Sequence, residues 1–316
     1  MDRRALGKTG ITIAPVMFGG NVFGWTVDRE RSFELLDAFM EAGFNSIDTA
    51  NVYARWVDGS EGGESESIIG AWMKARGNRE DVILATKVGH DMGKRGRGLS
   101  KAHIIREVEA SLKRLQTDYI DLYQAHRDDP NTPFEDVLET FDQLIKAGKI
   151  RAIGASNYDA PRLRQALEVA QKRNFPRYMT LQPHYNLYDR SKFEGELQSL
   201  CRDENIGVIP YFPLASGFLT GKYRSESDFS KSLRGGGMGK YLNERGLKIL
   251  HALDTVASAY GTTPAAVALS WIMRQPSIVA PIASATEISQ LKDFSVATRL
   301  DLGDYASAIL EEASKE

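Results

Sequence analysis

The chain has 316 residues, 42% hydrophobic and 26% charged, which is ample material for a sizeable core and argues against disorder. Forty basic against 42 acidic residues leave a formal net charge of -2 and exclude a global field for nucleic acid. The start, Met1-Asp2-Arg3-Arg4-Ala5, lacks an apolar leader, no apolar run would span a bilayer, and Cys201 is the only cysteine, so a cytoplasmic protein without an internal disulfide is expected.

The predicted elements begin with a hairpin around Leu6-Gly7-Lys8-Thr9-Gly10-Ile11. Strands are predicted near Val16 to Gly19, Phe44 to Thr49, Val82 to Lys87, Ile120 to Gln124, Ile150 to Ala155, Met179 to Gln182, Val208 to Tyr211 and Val279 to Ile282. Helices lie between them: Asp28 precedes the Phe33-Leu36-Phe39-Met40 stripe, Ser100 precedes Ile104-Ile105-Val108-Leu112, and Pro161 opens Leu163-Ala166-Leu167-Ala170. Gly43, Gly148 and Gly207 are expected at helix ends or tight turns, and a short helix runs on from Asp304. Eight strands alternating with helices predict one (β/α)8 barrel over residues 1–316, in the α/β class, with an N-terminal hairpin and long active-site loops.

Two segments break the rhythm, Asn51 to Glu64 and Gly221 to Lys240, and are candidate lids. Within the second, Gly235-Gly236-Gly237-Met238-Gly239-Lys240 is one residue short of a phosphate loop, Tyr241 stands where Ser or Thr is needed, and no strand immediately precedes it.

Four polar residues fall just beyond predicted strands, at the end where such a barrel opens its active site: Asp48, Tyr53, Lys87 and His126. A carboxylate, a phenol, an ammonium and an imidazole suit proton transfer to a carbonyl oxygen. Free phenol titrates near about 10; a cation roughly 4 Å away at an effective dielectric of about 20 contributes ~4 kcal/mol, enough to lower that value by about two or three units. Lys87 is therefore expected to activate Tyr53, Asp48 to keep Lys87 charged, and His126 to orient the carbonyl. The remaining histidines show no spacing of a metal site, Ser156 and Ser216 lie outside any nucleophile elbow, and no Gly-x-Gly-x-x-Gly follows the first strand. No metal is expected, and any nicotinamide must be bound without a Rossmann fold.

Asp48-Thr49-Ala50-Asn51-Val52-Tyr53, Gly154-Ala155-Ser156-Asn157, Leu181-Gln182-Pro183-His184-Tyr185-Asn186 and Tyr211-Phe212-Pro213-Leu214-Ala215 together resemble the signatures of the aldo-keto reductase superfamily, over nearly the whole chain. The resemblance implies a TIM barrel with the catalytic tetrad Asp48, Tyr53, Lys87 and His126, and an NAD(P)H-dependent oxidoreductase interconverting aldehydes or ketones with alcohols. It further implies that Ser156, Asn157 and Gln182 hold the nicotinamide carboxamide, that Tyr211 stacks on the ring, and that Leu214, Ser216 and Lys222 follow the pyrophosphate, with Arg224 and Arg234 as further cations.

The segment Ser284 to Phe294 matches the family's adenosine-phosphate region in placement, with Ser284, Thr286, Glu287, Gln290 and Asp293 as the contact positions. Its usual early cation is absent and Phe294 replaces Asn. Glu287 would accept from free ribose hydroxyls and repel a 2′-phosphate, which points to NAD, whereas the family preference points to NADP; dual or unsettled specificity is the expectation. For the substrate, Trp25 and Trp56 are expected to line an apolar mouth with Phe23, with Tyr185 or Phe218 as further candidates and Arg55 and Asp58 at the rim. The expected partner is a small carbonyl or alcohol, not nucleic acid or membrane; oligomeric state is not written in the pattern. The alternative is a nucleotide-sensing regulatory subunit on the same barrel, resembling the potassium-channel β-subunits.

Overall fold

The computed structural model describes residues 1–315. Its N-terminal hairpin comprises β1 (Arg4–Ala5) and β2 (Thr12–Ile13), paired antiparallel. Eight parallel strands follow: β3 (Met17–Gly19), β4 (Ser46–Asp48), β5 (Ile83–Val88), β6 (Ile120–Ala125), β7 (Ile150–Ser156), β8 (Thr180–Gln182), β9 (Gly207–Val208) and β10 (Ile282–Ala283). They lie in the order β10-β3-β4-β5-β6-β7-β8-β9. The two edges meet where the Val279 N–H donates to Val208 O at 2.8 Å and the Ile282 N–H to Pro210 O at 2.9 Å, so the sheet closes into a (β/α)8 barrel. Each of the eight predicted strands is present.

Helices α1 (Arg29–Glu41), α2 (Glu64–Arg76), α3 (Lys101–Leu115), α4 (Phe134–Lys146), α5 (Ala160–Arg173) and α6 (Glu196–Asp203) each follow one strand from β3 to β8. Between β9 and β10 lie α7 (Glu244–Ala259) and α8 (Pro264–Met273), and α9 (Leu291–Ala297) and α10 (Asp304–Ser314) close the described chain. Local chemistry fixes several starts. Asp28 accepts the Arg31 N–H at 2.9 Å ahead of α1, and Asp159 accepts the Arg162 N–H at 2.9 Å with Pro161 in the first turn of α5. The faces follow from periodicity: α4 buries Phe134 and the positions 3, 4, 7 and 10 after it, Val137, Leu138, Phe141 and Leu144, against the sheet.

Leu6, Ile11 and Ile13 of the hairpin pack with Met17 of β3, Leu122 of β6 and Ile209 just after β9, filling one end of the barrel with apolar side chains. One expectation fails here. Gly207 is not a helix-end glycine but the first residue of β9, and a Cβ on it would sit 2.6 Å from Gly7 N; the left-handed residue after α6 is Asn205, at φ 55°. Gly207 is needed for the close approach of the hairpin, not for a turn. With that end sealed, the strand ends carrying Asp48 and Lys87 face the opposite, open end, where loops gather.

Candidate active site

Lys87, at 0% side-chain exposure, is the centre of the open end. Its three ammonium protons are all engaged: Nζ donates to Asp48 Oδ2 at 2.7 Å, Thr49 O at 2.8 Å and Tyr53 Oη at 2.8 Å. The Tyr53 hydroxyl in turn donates to Asp48 Oδ2 at 3.2 Å. The other Asp48 oxygen accepts from Gln182 Nε2 at 2.9 Å and lies 3.5 Å from Gln124 Nε2. A buried ion pair this well bonded satisfies both desolvated charges. Strands β4 and β5 are adjacent, which sets the carboxylate and the ammonium opposite one another, and the turn after β4 folds Tyr53 back over both.

The titration expected of Tyr53 is overturned. Burial, then the Asp48 charge and hydrogen bond, hold the phenol well above its ordinary value of 10.0. The reason lies in the lysine's other partner: at 2.7 Å from Asp48 the ammonium is largely neutralised, while an ionising phenol would meet the same carboxylate oxygen. Burial also pulls Lys87 below its ordinary 10.5, against the pull of Asp48.

His126 follows β6, its ring 6.3 Å centre to centre from Tyr53. Burial, then the charges of Lys87, His90 and Arg127, hold its pKa well below 6.5, so the ring is neutral. Its Nδ1 is buried with no hydrogen-bond partner, leaving Nε2 as the ring nitrogen on the cleft side.

From this centre runs a cleft of about 800 Å³, lined by Asp48, Tyr53 and His126 at one end and by Ser284, Thr286, Glu287, Gln290 and Asp293 at the other. Ser156, Asn157, Gln182, Tyr211, Leu214, Ser216 and Lys222 line the stretch between. Tyr211 presents an aromatic face there, backed by His184 at 5.2 Å and 17° between planes, and its hydroxyl donates to Asn157 Oδ1 at 2.8 Å. Asn157 Nδ2 donates to His126 O and Ser156 Oγ, and Ser156 Oγ to Gln182 O. Gly154 is required by its neighbour: a Cβ there would lie 2.1 Å from Thr180 Oγ1. These amides and hydroxyls beside a flat ring are a donor and acceptor set that fits a nicotinamide carboxamide, with Gln182 Nε2 already committed to Asp48.

Beyond them, Ala215, Ser216 and Gly217 carry φ of 47°, 57° and 101°, a tight left-handed turn beside the cleft in which the Ala215 and Gly217 N–H groups donate to Phe212 O and Leu214 O, both at 2.8 Å. Arg224 does not line the cleft, being held by Asp254 at 2.7 and 2.8 Å. Arg234, from the loop Gly221 to Lys240, does reach the cleft: it lies over the Trp25 ring at 5.2 Å and its NH2 donates to Asn21 at 3.0 Å, whose amide donates to Ser284 Oγ at 2.6 Å. That loop thus crosses from β9 toward the end of β3 as a strap.

The cation that the sequence lacks near Glu287 comes from elsewhere. Arg31, in the first turn of α1, pairs with Glu287 at 2.5 Å and with Glu34 at 2.5 Å, and lines the cleft. Glu287 therefore does not face the cleft as a lone carboxylate.

The aromatic mouth is also different from expectation. Trp56, 49% exposed, lines it; Trp25 does not, standing behind with its ring at 5.7 Å to Trp56. Phe23 stacks on Phe18 in the core, Tyr185 is buried against Trp271, and Phe218 against Tyr241, because all three point inward. Neither Arg55 nor Asp58 lines the cleft, whereas Phe212, at φ 56°, His90 and Arg127 do. Arg127 carried a signal, since it adjoins His126 at a strand end. Arg31 and Asn21 carried none.

The model of the Aldo/keto reductase family matches residues 15–315. The chain is 35% identical over 309 residues to "Uncharacterized oxidoreductase YrpG" of Bacillus subtilis, covering 96% of this chain and 92% of that protein. It is 36% identical to "Aldo-keto reductase YhdN" of the same organism, covering 94% and 89%. A "Probable voltage-gated potassium channel subunit beta" of Oryza sativa is 32% identical, covering 92% of this chain and 89% of that protein.

Proposed function

Given that the chain belongs to the aldo/keto reductase family, we propose that it is an NAD(P)H-dependent reductase of aldehydes or ketones with Tyr53 as the general acid. The observation that carries this reading is the contact of Lys87 Nζ with both Tyr53 Oη and Asp48 Oδ2, at 2.8 and 2.7 Å. When bound, the reduced nicotinamide supplies a hydride to the carbonyl carbon. Tyr53 gives its proton to the carbonyl oxygen, and Lys87 Nζ, held in place by Asp48, donates its hydrogen bond to the phenolate oxygen left behind. His126, neutral and with Nε2 toward the cleft, donates to the same oxygen and sets its angle. A phenol held above 10.0 is protonated throughout the neutral range, which is what reduction asks of it.

Ser156, Asn157 and Gln182 would hold the carboxamide, Tyr211 the ring, and the loop from Leu214 through Ser216 to Lys222 the pyrophosphate. We infer acceptance of both NAD and NADP: Arg31 provides a cation for a 2′-phosphate, and Glu287 and Glu34 compete for it. The direct test is loss of reduced-nicotinamide absorbance on adding a panel of aldehydes and ketones. Aldehyde-dependent oxidation is expected, and its absence across the panel rejects the reading.

The likeness to potassium-channel β-subunits favours one alternative, a nucleotide-sensing subunit whose turnover is incidental. Retention of nucleotide through purification, slow turnover and copurification with a partner would favour that role.

A further inference from the structure

The charged groups lining the cleft are nearly all accounted for. Asp48 holds Lys87, Glu287 holds Arg31, Arg234 holds Asn21, and Asp293 accepts from Thr263 Oγ1 at 2.8 Å. Lys222 has no ion-pair partner among the described residues, but it lies against Gly217 of the left-handed loop, where a pyrophosphate would engage it. That leaves Arg127. It follows His126 directly, is exposed, lines the cleft, and makes no hydrogen bond or ion pair with any described residue.

Its surroundings sharpen the point. Around Tyr53 the mouth is formed by Trp56, His90, His126, Phe212 and Leu233, apolar or neutral groups with no carboxylate among them. The Arg127 charge is felt by the neighbouring rings, lowering the pKa values of His126, His90 and Tyr211 behind the larger effect of burial on each; for Tyr211 burial wins and the net shift is upward. The guanidinium therefore acts on the space where a carbonyl substrate would enter, and among the described residues no carboxylate pairs with it.

We propose that Arg127 is a specificity residue for the tail of the substrate, and that the enzyme acts on carbonyl compounds bearing a carboxylate at the end remote from the reacting carbon. This rests on the reductase reading and names its substrate class. A guanidinium presents a planar fork matched to a carboxylate's two oxygens, and the aromatic and aliphatic side chains around it suit an apolar spacer between the two polar ends. One exposed cation without a hydrogen bond or ion pair among the described residues matches one negative charge; Arg234, whose charge reaches Tyr53, is half-buried, donates to Asn21 and lies over the Trp25 ring, and Lys222 belongs to the other part of the cleft.

The test compares 4-carboxybenzaldehyde with 4-formylbenzamide, a neutral molecule of nearly the same shape, using the intact protein and its Arg127→Met and Arg127→Lys variants. In the parent protein kcat/KM is expected to favour the carboxylate by about tenfold, ~1.4 kcal/mol, mostly through KM, with the preference weakening at high salt. Arg127→Met should abolish that ratio and Arg127→Lys restore part of it. Turnover of both aldehydes with a ratio that Arg127→Met leaves unmoved overturns this inference alone. Failure of the parent protein to oxidise reduced nucleotide with either aldehyde overturns the reductase reading, and this inference with it. A rise in the Kd for reduced nucleotide that matches the kinetic loss in Arg127→Met would reassign the residue to the cofactor and also overturn it.

Discussion

The two ends of the cleft are built on opposite principles. At the Tyr53 end the charges are buried, each proton of Lys87 has an acceptor, and the groups project from adjacent strands of a closed barrel. At the Glu287 end the charges are exposed, the pairs join a helix start to a loop after the last strand, and the side chains stand 31% and 62% open to solvent. Removing one partner of a buried pair leaves an uncompensated charge, whereas an exposed pair contributes little to stability and is screened by salt. The Lys87 pair is therefore fixed by the architecture, and on the proposed reading nucleotide preference would be adjustable at little structural cost.

Lys87→Met should produce the largest effect. It removes the cation beside Tyr53 and strands Asp48 in the interior, so a fall in kcat of about a thousandfold and a loss of ~3–5 kcal/mol in urea unfolding are expected. A variant that remains as stable as the parent would erase the contrast between the two ends.

Glu287→Gln should act in the other sense and more mildly. With one of its two carboxylate partners gone, Arg31 is freer to meet a 2′-phosphate, and the ratio of kcat/KM for NADPH over NADH should rise by about tenfold with unfolding unchanged. Arg31→Ala should move that ratio the opposite way. If neither changes it, preference is decided elsewhere in the cleft.

The pH dependence is subtler. Because Tyr53 is raised above 10.0 and His126 lowered below 6.5, kcat/KM for reduction should be nearly flat from about pH 6.5 to about pH 9. Stability behaves differently. His126, His90 and His103 all bind a proton less readily folded than unfolded, so the unfolded chain takes up more protons as pH falls below 6.5 and stability drops there. Thermal unfolding across that window checks the sign; a Tm that rises on acidification contradicts it.

How much of this was legible in the chain follows the same division. The strands, the hairpin and the placement of Asp48, Lys87 and His126 at strand ends could be read locally, because side-chain period and residue type repeat within each segment. Arg31 and Glu287 are 256 residues apart, and nothing near either announces the other. The direction of the Tyr53 titration is not legible for a related reason: the sequence places the phenol near Lys87, but not Asp48 at 2.7 Å from the ammonium and 3.2 Å from the phenol at once. Trp25 and Trp56 looked equivalent in the sequence, and only packing decides which of two nearby aromatics reaches the cleft.

The proton relay itself is tested most directly by Tyr53→Phe, which removes one oxygen and leaves the ring, with nucleotide affinity and aldehyde turnover measured on the same preparation. The Kd for reduced nucleotide is expected to stay within about threefold while kcat falls by about a thousandfold or more. Turnover retained at the parent's rate would contradict the relay.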